Sequence, residues 1–177
     1  EFDLTNELEL EKYNSENLSF QRASNLTGSY MGTYGLSSML FALILTIYTS
    51  KRRINRKIIH LCSLILGGIG FLSMYYVTSH TYLIISFGLI GISWGSILSM
   101  PYAMLSSSVN EDSMGTSMGI FNMFIVIPQI IAAIGGINLL TSLIGDKPIF
   151  SMIIAGLALI IAGLFNLLIN DKKTISN

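Results

Sequence analysis

At 177 residues the chain has the length of one domain, yet 51% of it is hydrophobic and only 11% is charged, well below the quarter that water-soluble domains carry. This excludes an ordinary soluble fold. Ten Lys+Arg balance ten Asp+Glu, so no global charge points to nucleic acid, and a single Cys supports neither a disulfide framework nor a cysteine metal cluster.

Residues 1–28 form a polar lead-in. It holds six of the ten acids (Glu1, Asp3, Glu7, Glu9, Glu11 and Glu16) together with Lys12 and Arg22, and Leu4 and Leu8 can line one side of a short helix. From there to residue 169 the chain reads as a five-helix transmembrane domain, with apolar spans near 29–49, 58–77, 81–105, 114–143 and 148–169 that lack Lys, Arg, Asp and Glu. About 20 helical residues cross the hydrocarbon core, where only helices and closed barrels satisfy the backbone. In the long fourth stretch Pro128 removes a backbone hydrogen bond, which predicts a kinked or tilted helix. Residues 170–177 are a polar tail.

Orientation follows from the basic residues. The loop from Lys51 to Lys57 holds five and the tail Lys172-Lys173 two, whereas the opposite side has only Lys12, Arg22 and Lys147. The positive-inside rule therefore puts the C-terminus in the cytoplasm and the lead-in outside, in the plasma or inner membrane. Gly67, Gly68, Gly70, Gly88, Gly91, Gly95, Gly115 and Gly119 mark helix faces that can approach closely in lipid.

No catalytic or metal site is expected. Gly91-Ile-Ser93-Trp-Gly95 fits a nucleophile-elbow string, but it falls inside an apolar helix without the strand, turn and triad that such a serine needs. His60 is expected at a helix end in the interface, His80 in an outer turn, and Cys62 as a small buried side chain. No metallopeptidase, phosphate-loop or zinc spacing occurs.

Uncharged polar and aromatic residues at membrane depth carry more information. Asn122 and Gln129 are amides in hydrocarbon, so they must face protein or a wet cavity, and their spacing of seven puts them on one helix face. They read equally well as hydrogen bonds between helices, worth about 1 kcal/mol each. With Trp94, Tyr102 and Tyr34 they also make a polar, uncharged and aromatic lining, which suits a hydroxyl-rich solute whose C–H faces stack on rings.

The runs Gly91-Ile-Ser-Trp-Gly-Ser-Ile-Leu-Ser-Met-Pro-Tyr-Ala-Met-Leu105, Met114-Gly-Thr-Ser-Met-Gly-Ile-Phe-Asn122 and Ile125-Val-Ile-Pro-Gln129 resemble the tenth and eleventh helices of sugar transporters of the major facilitator superfamily. The likeness is greatest to the branch shared by sucrose and maltose cation symporters and the glycoside-pentoside-hexuronide group. It implies helices eight to twelve of a twelve-helix transporter, hence a C-terminal part whose partner is the missing N-terminal half. It also implies a sugar substrate, with a di- or oligosaccharide expected, alternating access, and a coupling ion, expected to be a proton, as the only cofactor. The basic loop with Arg52, Arg53 and Arg56 is similar to that family's gating loop, but it lacks an acidic partner. No carboxylate lies at membrane depth in the five spans, so coupling is expected to reside in the other half. The competing expectation is a non-transporting membrane interaction or assembly protein, in which the same amides only join helices.

Overall fold

The computed structural model describes residues 7–52, 54–77, 79–136, 142, 145 and 147–169. Every regular element among them is helical: α1 (Glu7–Lys51), α2 (Arg56–Ser73), α3 (His80–Ser106), a 3-10 turn (Glu111–Ser113), α4 (Met114–Ile131) running into a π-helical turn (Ala132–Gly136), and α5 (Pro148–Asn166). Five helices are long and apolar enough to cross a membrane. The expected all-helical membrane architecture is present.

The lead-in is not confined to a short helix. From Glu7 onward it continues unbroken into the first span, so α1 is 45 residues long, about 68 Å at 1.5 Å per residue. This exceeds any hydrocarbon core, and its polar first half runs beyond the span. Nothing in residues 7–28 breaks a helix, and the hydroxyls that would compete with the backbone bond back to it instead: Ser19 Oγ donates to the Ser15 carbonyl (2.9 Å) and Thr27 Oγ1 to that of Ala23 (2.9 Å). Tyr30 is the first buried residue of the helix; its ring stacks on Phe87 of α3 at 5.3 Å and its hydroxyl donates to the His80 carbonyl at 3.1 Å.

Four helices pack as a row in the order α1, α3, α2, α5. Lipid offers no hydrophobic drive between helices, so close contact needs small residues. A Cβ at Gly91 would strike the Tyr34 carbonyl and Ser37 hydroxyl of α1, and one at Gly95 would stand 2.9 Å from the Ser38 carbonyl. On the next seam Gly67 and Gly70 admit Ser93 and the Ser86 carbonyl of α3, and on the last Gly68 and Gly156 face each other, a Cβ on either lying under 3.0 Å from the other's carbonyl. Gly88 has only ordinary contact with Thr33, and Gly115 and Gly119 face open space. Glycine spacing marks where a helix can be approached, not whether another helix arrives.

Charge at the start of α2 locks three helix ends together. A helix N-terminus repels cations, and Arg56 and Lys57 reach outward to carbonyl ends, where cations are favoured. Arg56 Nη1 donates to the Ala103 carbonyl (2.7 Å) and Nη2 to the Ser107 hydroxyl (3.1 Å) of α3's last turn. Lys57 Nζ donates to the carbonyls of Leu167 (3.3 Å) and Ile169 (2.8 Å) just past α5, and Asn166 Nδ2 returns a bond to the Lys57 carbonyl at 2.8 Å. The Asn55 side chain caps α2 by accepting from the Ile58 amide.

Two expectations for single residues are corrected. His60, expected at a helix end in the interface, is buried between helices: it is 7% exposed, and its Nδ1 shares a hydrogen bond of 2.8 Å with Ser96 Oγ of α3. It lies one turn inside α2, on the face that packs. Cys62, two residues on, points away from that face and is exposed.

Candidate functional site

The fourth helix stands apart from the row. None of the residues in α4 is buried, and its helix passes through Pro128 and ends in the π-helical turn at Gly135, whose φ of 134° is open to glycine at little cost. The kinked or tilted helix expected from Pro128 keeps its helical assignment through that residue, and the backbone leaves helical geometry about two turns later, at Gly135. Residues 137–141 at the far end of the expected span are outside the described residues.

The structure brings the predicted residues together as two pairs along α3. At the first, the rings of Tyr34 (α1) and Trp94 (α3) lie 6.3 Å apart and tilted by 44°. Their closeness depends on Gly91 and Gly95, which let α1 approach. Trp94 remains 41% exposed, so a ring face is open beside the pair. At the second, the Tyr102 hydroxyl donates to Asn122 Oδ1 across α3 and α4, and the Tyr102 ring meets Phe121 edge-on at 4.9 Å. This contact is where α4 is held.

The pairs are related by helix geometry. Trp94 and Tyr102 are eight residues apart on α3, about 12 Å along the axis, with Leu98 between them on the same side. Because α4 runs back antiparallel from Asn122, its rise carries Gln129 about 10 Å toward the level of Trp94. Gln129 is exposed there and is not drawn into either pair. The result is an open face floored by Trp94, Leu98 and Tyr102, with Tyr34 at one end, Asn122 at the other, and a second amide on the flanking helix. It presents ring faces, hydroxyl and amide groups, and no charged side chain, so it can stack on and hydrogen-bond to a neutral polar solute.

The basic-loop residues do not join this face. Arg52 is exposed at the end of α1, Arg56 is engaged with α3's last turn, and Arg53 is outside the described residues. Ser93 is nearly fully buried against Gly67 with no hydrogen-bond partner for its hydroxyl, and neither histidine approaches it as a base: His60 bonds Ser96, and His80 begins α3. Sequence reasoning did not pair His60 with Ser96 or Asn166 with Lys57; small polar residues in spans two, three and five are the signal for them.

A family model described as the Major Facilitator Superfamily matches residues 12–177, the five spans and most of the lead-in. The chain belongs to the major facilitator superfamily. No curated protein and no solved structure matches it. Members of this superfamily are membrane transporters rather than enzymes, so the open face of α3 and α4 belongs to an integral membrane protein of a transporter family.

Proposed function

We propose that this chain is the C-terminal part of a secondary active sugar transporter that moves a di- or oligosaccharide with a cation by alternating access, its helices corresponding to the eighth to twelfth. The observation that carries the reading is the Tyr102–Asn122 pair on the side of α3 that also bears Trp94: an amide and a phenol hold each other, and sugar hydroxyls can take over both. Two sites about 12 Å apart on one helix are farther apart than two directly linked rings, so they suit the ends of a short oligosaccharide, one end stacked at Tyr34 and Trp94 with Gln129 near that level, the other hydrogen-bonded at Tyr102 and Asn122. The distribution of Lys and Arg supports a cytoplasmic C-terminus in the plasma or inner membrane. The coupling ion, a proton in this reading, binds in the other half of the transporter, because the described spans carry no carboxylate at membrane depth.

The test is uptake of labelled di- and oligosaccharides by cells expressing the gene that encodes this chain, with and without an imposed proton gradient. Gradient-driven uptake that is lost in Gln129→Leu, with normal membrane insertion, supports the site. Uptake indifferent to Asn122→Leu and Gln129→Leu overturns it. The Tyr102–Asn122 bond also favours a second reading, a non-transporting assembly protein in which that bond is only a tie between helices; there Asn122→Leu loosens the fold and no sugar is moved.

A further inference from the structure

A cavity of about 730 Å³ is walled by His60 and Leu64 of α2, Met104 and Leu105 of α3, Phe121 of α4 and Phe165 of α5. It occupies the end of the bundle where α2 and α4 begin and α3 and α5 end, beside the basic loop. The polar groups in its wall are already engaged: His60 with Ser96, the Ser108 hydroxyl with the Met104 carbonyl (2.9 Å), and the Asn166 amide nitrogen with Lys57. The one open acceptor there, Asn166 Oδ1, has essentially no exposed surface. What remains for an occupant is mostly hydrocarbon, which suits an acyl chain better than a sugar or a free anion.

The rim is different in character. Lys57 is not in the wall but donates its ammonium to two backbone carbonyls, one of them that of the wall residue Ile169, and Arg56 bonds Ser107, the neighbour in sequence of the wall residue Ser108. Phe165, in the cavity wall, is 65% exposed, an apolar surface that continues outward from the cavity. We infer that the cavity holds an acyl chain of an anionic phospholipid, with the phosphate on the Lys57 and Arg56 rim and the chain against Leu64, Met104 and Phe121. Basic groups between helices on the side of the basic loop favour anionic headgroups, and each cation near the surface strengthens that attraction. Since Phe121 both lines this cavity and meets the Tyr102 ring, the bound chain also props α4 where it meets α3.

The test is native mass spectrometry of the purified 177-residue chain offered equimolar dioleoyl phosphatidylglycerol and phosphatidylcholine. One phosphatidylglycerol is retained, with a preference of about tenfold over phosphatidylcholine. Ala162→Trp fills the cavity from α5 at an exposed position and abolishes retention; Lys57→Gln brings the preference close to parity. Equal retention of the two lipids by the unsubstituted chain, or unchanged retention in Ala162→Trp, overturns the site, and an undiminished preference in Lys57→Gln overturns the headgroup assignment. If Ala162→Trp loses its helical circular dichroism, Leu105→Trp fills the same cavity from α3 and is judged by the same two results.

Discussion

The row of α1, α3, α2 and α5 and the lone α4 are built from similar apolar sequence and hold together by different means. In the row, glycines and serines admit neighbouring backbones along every seam, and Arg56 and Lys57 tie the ends of α3 and α5 to the start of α2. In α4 the small residues Gly115 and Gly119 meet nothing, and the helix rests on one aromatic and one amide contact at Tyr102. Close backbone packing sums many small attractions and is rigid, whereas a single hydrogen bond between helices contributes only about 1 kcal/mol. The helix with the weakest attachment also carries two membrane-depth amides, Asn122 and Gln129, which hydrocarbon tolerates only against protein or a wet cavity. Weak attachment and exposed amides on one element suit a surface that exchanges partners during transport.

Substitutions can break or sharpen this contrast. The largest effect is expected at Gly68, where a new Cβ would stand 2.5 Å from Ile160 and 2.8 Å from the Gly156 carbonyl. Gly68→Ala should destabilise by about 1–3 kcal/mol, read as a lower melting temperature in detergent, whereas Gly119→Ala in open space should gain about 0.5 kcal/mol from helix propensity. Equal responses at the two glycines would erase the distinction. Next, Arg56→Leu removes a charge-assisted tie and should cost about 1.5–3 kcal/mol, with amide exchange rising in the last turn of α3.

Tyr102→Phe keeps the ring and deletes the bond to Asn122. A loss of about 0.6–1 kcal/mol is expected, with faster hydrogen exchange in α4 and none in α1 or α2; a uniform rise across all helices would mean that α4 is integral to the row. The smallest effect on stability belongs to Gln129→Leu, within about 0.5 kcal/mol because the side chain is exposed. Its expected consequence is loss of sugar uptake, so unfolding of this variant would show that Gln129 is a structural tie.

Much of the candidate site was legible because its chemistry is local. Amides and rings at membrane depth are few, and Asn122, Gln129, Trp94, Tyr102 and Tyr34 could be picked out by type and depth alone. That Tyr102 meets Asn122 was half legible, since a short connection makes α3 and α4 antiparallel neighbours. That Gln129 stays out of both pairs was not, because equal spacing on a helix places two amides on one face without saying how far the neighbour follows it. The lead-in shows another limit: hydropathy changes near residue 28, but a helical backbone ends only where its hydrogen bonds are interrupted, and α1 has no such point there. His60 reads as a terminal residue by position and is buried only because Ser96 of α3 lies opposite it.

Apolar length and charge placement were sufficient to dictate a membrane protein of five helical spans, since lipid leaves a backbone few other ways to satisfy its polar groups. Residue types within the third and fourth spans were sufficient to indicate its transporter family. Which glycines face a partner, where Arg56 and Lys57 spend their charge, and the separation of α4 from the row were decided only by tertiary packing. In lipid every apolar face is equally content, so the choice among faces falls to the fit of particular side chains between helices far apart in the chain.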